Sequence, residues 1–321
     1  MLLAALLATL ASGAQAQGVT IKLGTLAPQG STWQDLLREM AQRWEEASGG
    51  QVKLRIYAGG TQGSEGDMVR KMSIGQLQAA AISNIGMHDL MAEPQGLSIP
   101  FMFRDEAQMQ CAFQKVRPEL EAGLEQRGFV AVQWSTIGAV HLFCDKPHRS
   151  PADMADTKIW AWEGDPKSVE AYRAAGLKPV VLSSSDIVPS LQTGMIDCVP
   201  NVPLYILTTR LHERAPYMMD TAWSYMVGAT LVRKDAWDKV PADLRPKLLA
   251  IAQELGGKVD AEVKRLNDDA VAAMQKQGLR VVPADVGAWR AAMEKTTPFV
   301  RGGVVPAAFY DHLRTIRDGC K

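Results

Sequence analysis

The strongest constraint on the fold is the alternation of strand and helix patterns along most of the chain. Apolar residues recur at every second position over 19–23 and again over 52–56, which is the period of a strand. Between them, Ser31 stands in an N-cap position before an apolar stripe of helical spacing over 33–44. This strand, helix and strand opening predicts a parallel βαβ unit.

The same alternation continues to the end of the chain. Further helices are predicted at about 67–74, 105–126, 167–175, 186–193, 242–277, 286–296 and 307–317, and further strands at 79–82, 129–134, near 158, 179–182, 195–199, 226–232 and 279–282. The second of these helices is expected to break or kink near Pro118. Two such series predict two α/β domains with largely parallel sheets, and a ligand cleft beyond the carboxyl ends of the strands.

Charge and cysteine usage exclude several classes of protein. The 321-residue chain has 35 Lys and Arg against 35 Asp and Glu, so no basic excess is present to neutralise a nucleic-acid backbone. The four cysteines are far apart in the sequence, which argues against a metal site built on close pairs. If all four form internal disulfides, three pairings are possible, and the sequence does not choose among them.

Residues 1–16 have the features of an export signal. The apolar run MLLAALLATLA is followed by the small-x-small triplet Ala14–Ala16, after which cleavage would leave Gln17 first. No Lys or Arg precedes the run, which suggests that the natural precursor starts earlier; the alternative is a buried N-terminal helix. No later stretch has about 18 consecutive apolar residues. We therefore expect an exported protein in the periplasm, where its cysteines can oxidise.

Motifs for catalysis and for cofactors are absent from the sequence. The five histidines form no HExxH pair, and no GxSxG, GxxxxGK[ST] or GxGxxG occurs. Carboxylates are plentiful but scattered. An enzyme is therefore the weaker hypothesis, and we predict no catalytic residues, no cofactor and no metal.

Five segments, taken in order, resemble one family. They are IYAGGTQGSEGDM at 56–68, SIPFMFRD at 98–105, ADMADTKIW at 152–160, LQTGMID at 191–197, and Asn201 with Pro203. They are similar to the substrate-binding proteins of TRAP (tripartite ATP-independent periplasmic) transporters, the dicarboxylate-binding-protein-like family, whose members carry "PFLFRD", "ALQ-x-G-x-x-D" and "ENP" at these places. Each segment alone is a weak match, but the ordered set covers most of the mature chain.

The resemblance implies a two-lobed periplasmic binding protein, type II-like, with a long helix spanning both lobes. It places lobe I at 17–138 plus about 226–266 and lobe II at 139–225 plus about 267–321. It also implies capture of a small organic solute by lobe closure and delivery to the small and large membrane subunits. The alternative function is a ligand-sensing periplasmic protein that docks on a membrane receptor, because the fold would be identical.

Two departures from the family change the expected solute. Most members have an arginine after "K-I" that pairs with a substrate carboxylate, whereas here Trp160 follows Lys158–Ile159. A second family arginine is replaced by Val140. Because Trp160 and Trp162 share one side of a strand, they could form an aromatic wall for an organic acid or an aromatic or apolar solute. The alternative is that these tryptophans pack in the core.

The remaining predicted ligand contacts lie at strand ends and helix starts. They are Trp33, Glu65, Ser83, Asn84, Asn201 and Tyr205, besides Trp160, Trp162 and Val140. Several have structural alternatives: Trp33 could belong to the core, Glu65 could stand at its helix start because of the helix dipole alone, and Ser83 and Asn84 could cap the next turn.

Overall fold

The computed structural model describes residues 18–320. The predicted signal peptide, residues 1–16, lies outside the described residues. Within 18–320, the strands are β1 (Val19–Thr25), β2 (Val52–Tyr57), β3 (Ala79–Ser83), β4 (Phe129–Cys144), β5 (Lys158–Trp162), β6 (Lys178–Leu182), β7 (Cys198–Asn201), β8 (Tyr217–Met219), β9 (Ser224–Arg233) and β10 (Arg280–Val282). The α-helices are α1 (Thr32–Ala47), α2 (Glu65–Ser73), α3 (Glu106–Gln126), α4 (Pro166–Ala174), α5 (Ile187–Gln192), α6 (Pro203–Thr208), α7 (Lys234–Trp237), α8 (Arg245–Lys276), α9 (Val286–Glu294), α10 (Thr297–Val300) and α11 (Ala307–Asp318).

The strands form two sheets that share β4. The first sheet has the order β2-β1-β3-β9-β4, and the second continues from β4 through β7 and β5 to β6, with β8 beside β4 and β10 beside β8. Residues Phe129–Val140 of β4 pair with β9, and residues His141–Cys144 pair with β7. One continuous strand therefore connects the two halves of the molecule.

The expectation of largely parallel sheets is only partly correct. The β1–β2, β1–β3, β5–β6, β5–β7 and β8–β10 pairs are parallel, but β9 pairs antiparallel with β3 and β4, and β4 pairs antiparallel with β7 and β8. The reason is topological. Strand β4 leaves the first sheet for the second and β9 returns, so the two strands must run in opposite directions.

Strand β4 is ten residues longer than the 129–134 segment predicted. Its pairing with β9 shifts register between Ala131 and Gln133 and again between Thr136 and Gly138. Each shift adds an unpaired residue and interrupts the alternation on which the prediction depended. The pattern of a simple strand therefore ended early, although the backbone pairing continues to Cys144.

Two long helices were predicted close to their observed bounds. Helix α3 continues through Pro118, where a break or a kink was expected, so the expected break is absent. Pro118 cannot donate a hydrogen bond to the carbonyl of Gln114. Both residues are exposed, so water can bond this carbonyl instead. Helix α8 has 32 residues and is about 48 Å long. It packs on α1, on β4 and on α6. The helix approaches β4 closely at Gly256, where a Cβ would stand 2.5 Å from the Trp134 carbonyl oxygen.

Two disulfides resolve the three possible pairings. Cys111 of α3 is bonded to Cys320, which follows α11, and Cys144 of β4 is bonded to Cys198 of β7. The first bond attaches the C-terminal helix to α3, and α11 also packs on α3. The lobe boundaries remain a prediction. Any division of the chain into lobes has to allow for the contact between α11 and α3.

No helix within residues 18–320 combines the length and the apolar character needed to cross a bilayer.

Candidate ligand-binding site

A cavity lies where the two sheets meet. Its volume is about 180 Å³, whereas one water molecule needs roughly 10–15 Å³ on the same measure, so the cavity has room for a small organic molecule. It is lined by the loop after β1, by residues at the ends of β3, β5 and β7, and by the middle of β4 and β9. Except for the β4 and β9 segments, these are the carboxyl ends of parallel strands, where α/β sheets bind ligands.

Seven of the nine residues predicted as ligand contacts line this cavity. They are Trp33, Glu65, Ser83, Trp160, Trp162, Asn201 and Tyr205. The structure thus gathers residues that are up to 172 positions apart in the sequence (from Trp33 to Tyr205) around one space. Their contact with a solute stays a prediction.

Asn84 and Val140 do not line the cavity, which corrects the predicted set. The Asn84 side chain is fully buried and its amide donates to the Pro94 carbonyl oxygen at 3.1 Å and to Ser98 Oγ at 2.6 Å. Val140 is buried in an apolar cluster that includes Trp223. On β4 the cavity is lined instead by Gln133, Ser135 and Ile137, which are two positions apart along the strand.

Nine of the lining residues form two groups according to the half of the fold that carries them. We call Glu65, Ser83, Gln133 and Thr230, which belong to the first sheet and its loops, the polar wall. We call Trp160, Trp162, Ser184, Asn201 and Tyr205, which belong to the second sheet and its loops, the aromatic wall.

The polar wall is organised around Glu65, the first residue of α2. Both its carboxylate oxygens accept hydrogen bonds from Ser83, one from the backbone N–H and one from Oγ, each at 2.7 Å. Burial raises the pKa of Glu65, and the hydrogen bonds from Ser83 and Gly86 oppose that rise. Asp67, not Glu65, closes the capping box with Ser64, so helix capping does not account for the position of Glu65.

The aromatic wall is built from β5 and the segments beside it. Trp160 is 7% and Trp162 8% exposed, and both line the cavity, as their spacing of two predicts. The same two indoles also line a second cavity of about 90 Å³, and they belong to the apolar cluster that includes Phe143 and Val199, so they pack in the core of this half and line the cavity at once. Tyr205 extends this wall: burial raises its pKa, and the charge of Glu65 raises it further.

Three polar atoms of the lining residues have no hydrogen-bond partner in the described part of the chain. They are Trp160 Nε1, Gln133 Nε2 and Ser184 Oγ, and all three are buried. The Gln133 carbonyl oxygen is satisfied, because it accepts from Thr230 Oγ1 at 2.9 Å. Since buried polar atoms are nearly always paired, these three suit a ligand or water that accepts hydrogen bonds.

Gln133 and Ser184 line the cavity but were not predicted from the sequence. A signal for each was available: Gln133 is a single amide within the apolar strand pattern of 129–134, and Ser184 lies in the serine run 183–185 that follows the predicted strand 179–182. A buried amide in an apolar strand needs a partner, and serines at the carboxyl end of a parallel strand face the cleft.

Charged groups are scarce in this site. Among the described residues that line the cavity, Glu65 is the single carboxylate, and there is no Lys, Arg or His. Elsewhere, Cys144, His148 and Cys198 lie within 4.8 Å of one another, but the two cysteines form a disulfide and offer no thiolate to a metal.

The chain matches the model of the bacterial extracellular solute-binding protein family 7 (DctP) over residues 23–301. A solute-binding protein of Verminephrobacter eiseniae is 24% identical over 266 residues, which cover 82% of this chain and 79% of that protein. The C4-dicarboxylate-binding periplasmic protein DctP of Rhodobacter capsulatus is 24% identical over 241 residues, 73% of this chain and 71% of its own.

Solved structures agree in fold. A TRAP periplasmic solute-binding protein from Xanthobacter autotrophicus with bound β-D-galacturonate superposes with a TM-score of 0.86 at 18% identity, covering 93% of this chain and 99% of its own. Another such protein, from Sulfurospirillum deleyianum with bound succinate, has a TM-score of 0.84 at 22% identity, and the match covers 94% of this chain and 99% of that one. These likenesses confirm the predicted two-lobed α/β fold. The chain therefore belongs to family 7 of the bacterial extracellular solute-binding proteins, the substrate-binding proteins of TRAP transporters.

Proposed function

We propose that this protein captures one small organic solute in the periplasm, in the cleft between the polar and aromatic walls, and delivers it to the small and large TRAP membrane subunits. The solute leaves chemically unchanged. The observation that carries the proposal is the cavity itself, because it lies between two sheets and is lined by residues from both. The proposal includes export and cleavage after Ala16.

Capture requires the two sheets to move toward each other around the solute. The connections available for that hinge are β4, β9 and α8, with the β-bulge at Thr136/Gly138 at the crossing point. We take the lobes to be those predicted from the sequence, 17–138 plus about 226–266 and 139–225 plus about 267–321. Closure would remove the solute from water and strengthen every polar contact made to it.

The solute class follows from what lines the cleft. The related proteins bind small polar organic molecules. Two solved structures contain β-D-galacturonate and succinate, and the DctP protein of Rhodobacter capsulatus is described as binding C4-dicarboxylates. In this chain tryptophan and valine stand where arginines were expected, and no basic residue is among the described lining residues. We therefore propose an aromatic, apolar or weakly charged solute, and weak binding of simple dicarboxylates.

A thermal-shift screen of residues 17–321 tests this proposal. A ligand that binds the folded state raises the unfolding temperature by mass action, so we expect hits among aromatic and apolar solutes. The strongest hit is then incubated with the protein and recovered for mass spectrometry, and we expect it unchanged. Nanomolar binding of succinate by calorimetry would contradict the solute class, and steady conversion of the hit would contradict the transport role.

A further inference from the structure

Glu65 is the one carboxylate among the described residues that line the cleft, and no Lys, Arg or His is among them. We infer that the solute is an organic cation, an ammonium group on an aromatic or apolar body, and that Glu65 is its counter-charge. This inference rests on the proposed function and specifies its solute.

Glu65 has unused capacity to accept hydrogen bonds. No Lys or Arg within residues 18–320 forms an ion pair with it, although many other acids of the chain are paired. A carboxylate has about four acceptor positions; Ser83 takes two of them, and the Gly86 backbone N–H also donates to Glu65. The donors that surround Glu65 are neutral, so they hold the carboxylate in place without cancelling its charge.

The position of this charge selects against anions. A carboxylate solute in the cleft would lie near a like charge in a largely dehydrated cavity, with no cation lining it to offset the repulsion. An ammonium group would instead form the pair that Glu65 lacks. Burial raises the pKa of Glu65, and a bound cation would lower it again and hold the carboxylate ionised at neutral pH.

The aromatic residues suit the same class of solute. The faces of Trp and Tyr rings attract cations, and ammonium groups are bound in this way by aromatic cages. Trp33, Trp160, Trp162 and Tyr205 all line the cavity that contains Glu65. Burial raises the pKa of Tyr205, and the charge of Glu65 raises it further. A carboxylate and several indoles in one cavity therefore recognise both the charge and the apolar body of such a solute.

Calorimetry tests the inference with sets of three solutes that share one ring system and differ in charge: a cation, a neutral amide and an anion. We would use tryptamine, indole-3-acetamide and indole-3-acetate, and in parallel benzylamine, benzamide and benzoate, with residues 17–321 at pH 7. The amines are expected to bind at least about tenfold more tightly than the acids, with the amides between them. In Glu65→Gln we expect amine affinity to fall about tenfold and amide affinity to change less than about threefold.

Asp186→Asn is the matched control. Asp186 is exposed, does not line the cavity and precedes the lining residue Ile187, so removing its charge should change amine affinity by less than about twofold. Equal loss in both variants would overturn the role of Glu65. Tighter binding of the acids than of the amines would overturn the inference while leaving solute capture intact. If neither the amines nor any other aromatic or apolar solute shifts the unfolding temperature, the proposed function fails as well.

Discussion

The polar wall and the aromatic wall of the cleft differ in where their polar atoms find partners. On the polar wall, both oxygens of Glu65 accept from Ser83, and Gln133 accepts from Thr230. On the aromatic wall, Trp160 Nε1 and Ser184 Oγ are buried without a partner among the described residues, whereas on the polar wall this holds for Gln133 Nε2. One wall is largely satisfied by its own fold, and the other retains unpaired donors beside large apolar surfaces.

This difference separates two energetic roles. Hydrogen bonds within the polar wall stabilise the folded protein whether or not a solute is present. The unpaired donors of the aromatic wall contribute little to stability and become favourable when a solute accepts from them. Substitutions on the polar wall should therefore lower the free energy of unfolding, and polar substitutions on the aromatic wall should lower affinity.

The largest effect is expected for Trp160→Ala. It removes an indole that lines the cavity, so affinity for the solute found by screening should fall by about 2 kcal/mol or more, measured by calorimetry. Trp237→Ala is the matched control, because Trp237 is 6% exposed, packs against Trp44 and does not line the cavity. Both variants should lose about 3–5 kcal/mol of stability. Unchanged affinity in Trp160→Ala would place that residue outside the site.

The junction between the two walls should be sensitive to Gly138→Ala. Gly138 has φ +133°, and a Cβ there would stand 2.5 Å from Asn267 Nδ2 of α8. The strain and the displaced amide should lower the free energy of unfolding by roughly 1–3 kcal/mol in urea titrations. Gly257→Ala, a position of α8 with open space around it, should instead stabilise by about 0.4–1 kcal/mol. Equal stability changes in the two variants would mean that the β4 and α8 contact is not tight.

Two serine variants compare the walls directly. Ser83→Ala removes a donor from the Glu65 carboxylate and should cost about 1–2 kcal/mol of stability. Ser184→Ala removes a buried hydroxyl that has no partner in the described chain, so stability should stay within about 0.5 kcal/mol. Chemical denaturation of both variants measures the contrast. A larger stability loss in Ser184→Ala than in Ser83→Ala would reverse the assignment of the walls.

The smallest expected effect is a pH dependence of stability. Burial raises the pKa of Glu65, so the folded protein holds this proton more tightly than the unfolded chain does. Stability from this group is therefore complete below the ordinary glutamate pKa and is lost as pH rises through the raised value. Glu65→Gln removes that loss. The stability of the variant minus that of the wild type should rise with pH across this window, and a flat difference would mean that the pKa is not raised.

The fold was more predictable from the sequence than the site was. Helix α8 and strand β1 follow from periodicity, because one face of each packs in the core and the pattern records it. The extent of β4 did not follow, because its bulges shift the period and only pairing with β9 defines them. Ser83 and Asn201 were predicted from their position at strand ends, and both line the cavity. Asn84 was misassigned, because its fully buried amide bonds the Pro94 carbonyl and Ser98, contacts that only the tertiary structure shows.

A crystal structure of residues 17–321 with the strongest hit from the thermal-shift screen is the most direct test. The central claim is that one solute binds between the polar and aromatic walls and contacts both. We predict electron density for the solute within contact of Trp160 on one side and Glu65 on the other. Density for the solute at another surface, with both of these side chains left uncontacted, would contradict the claim.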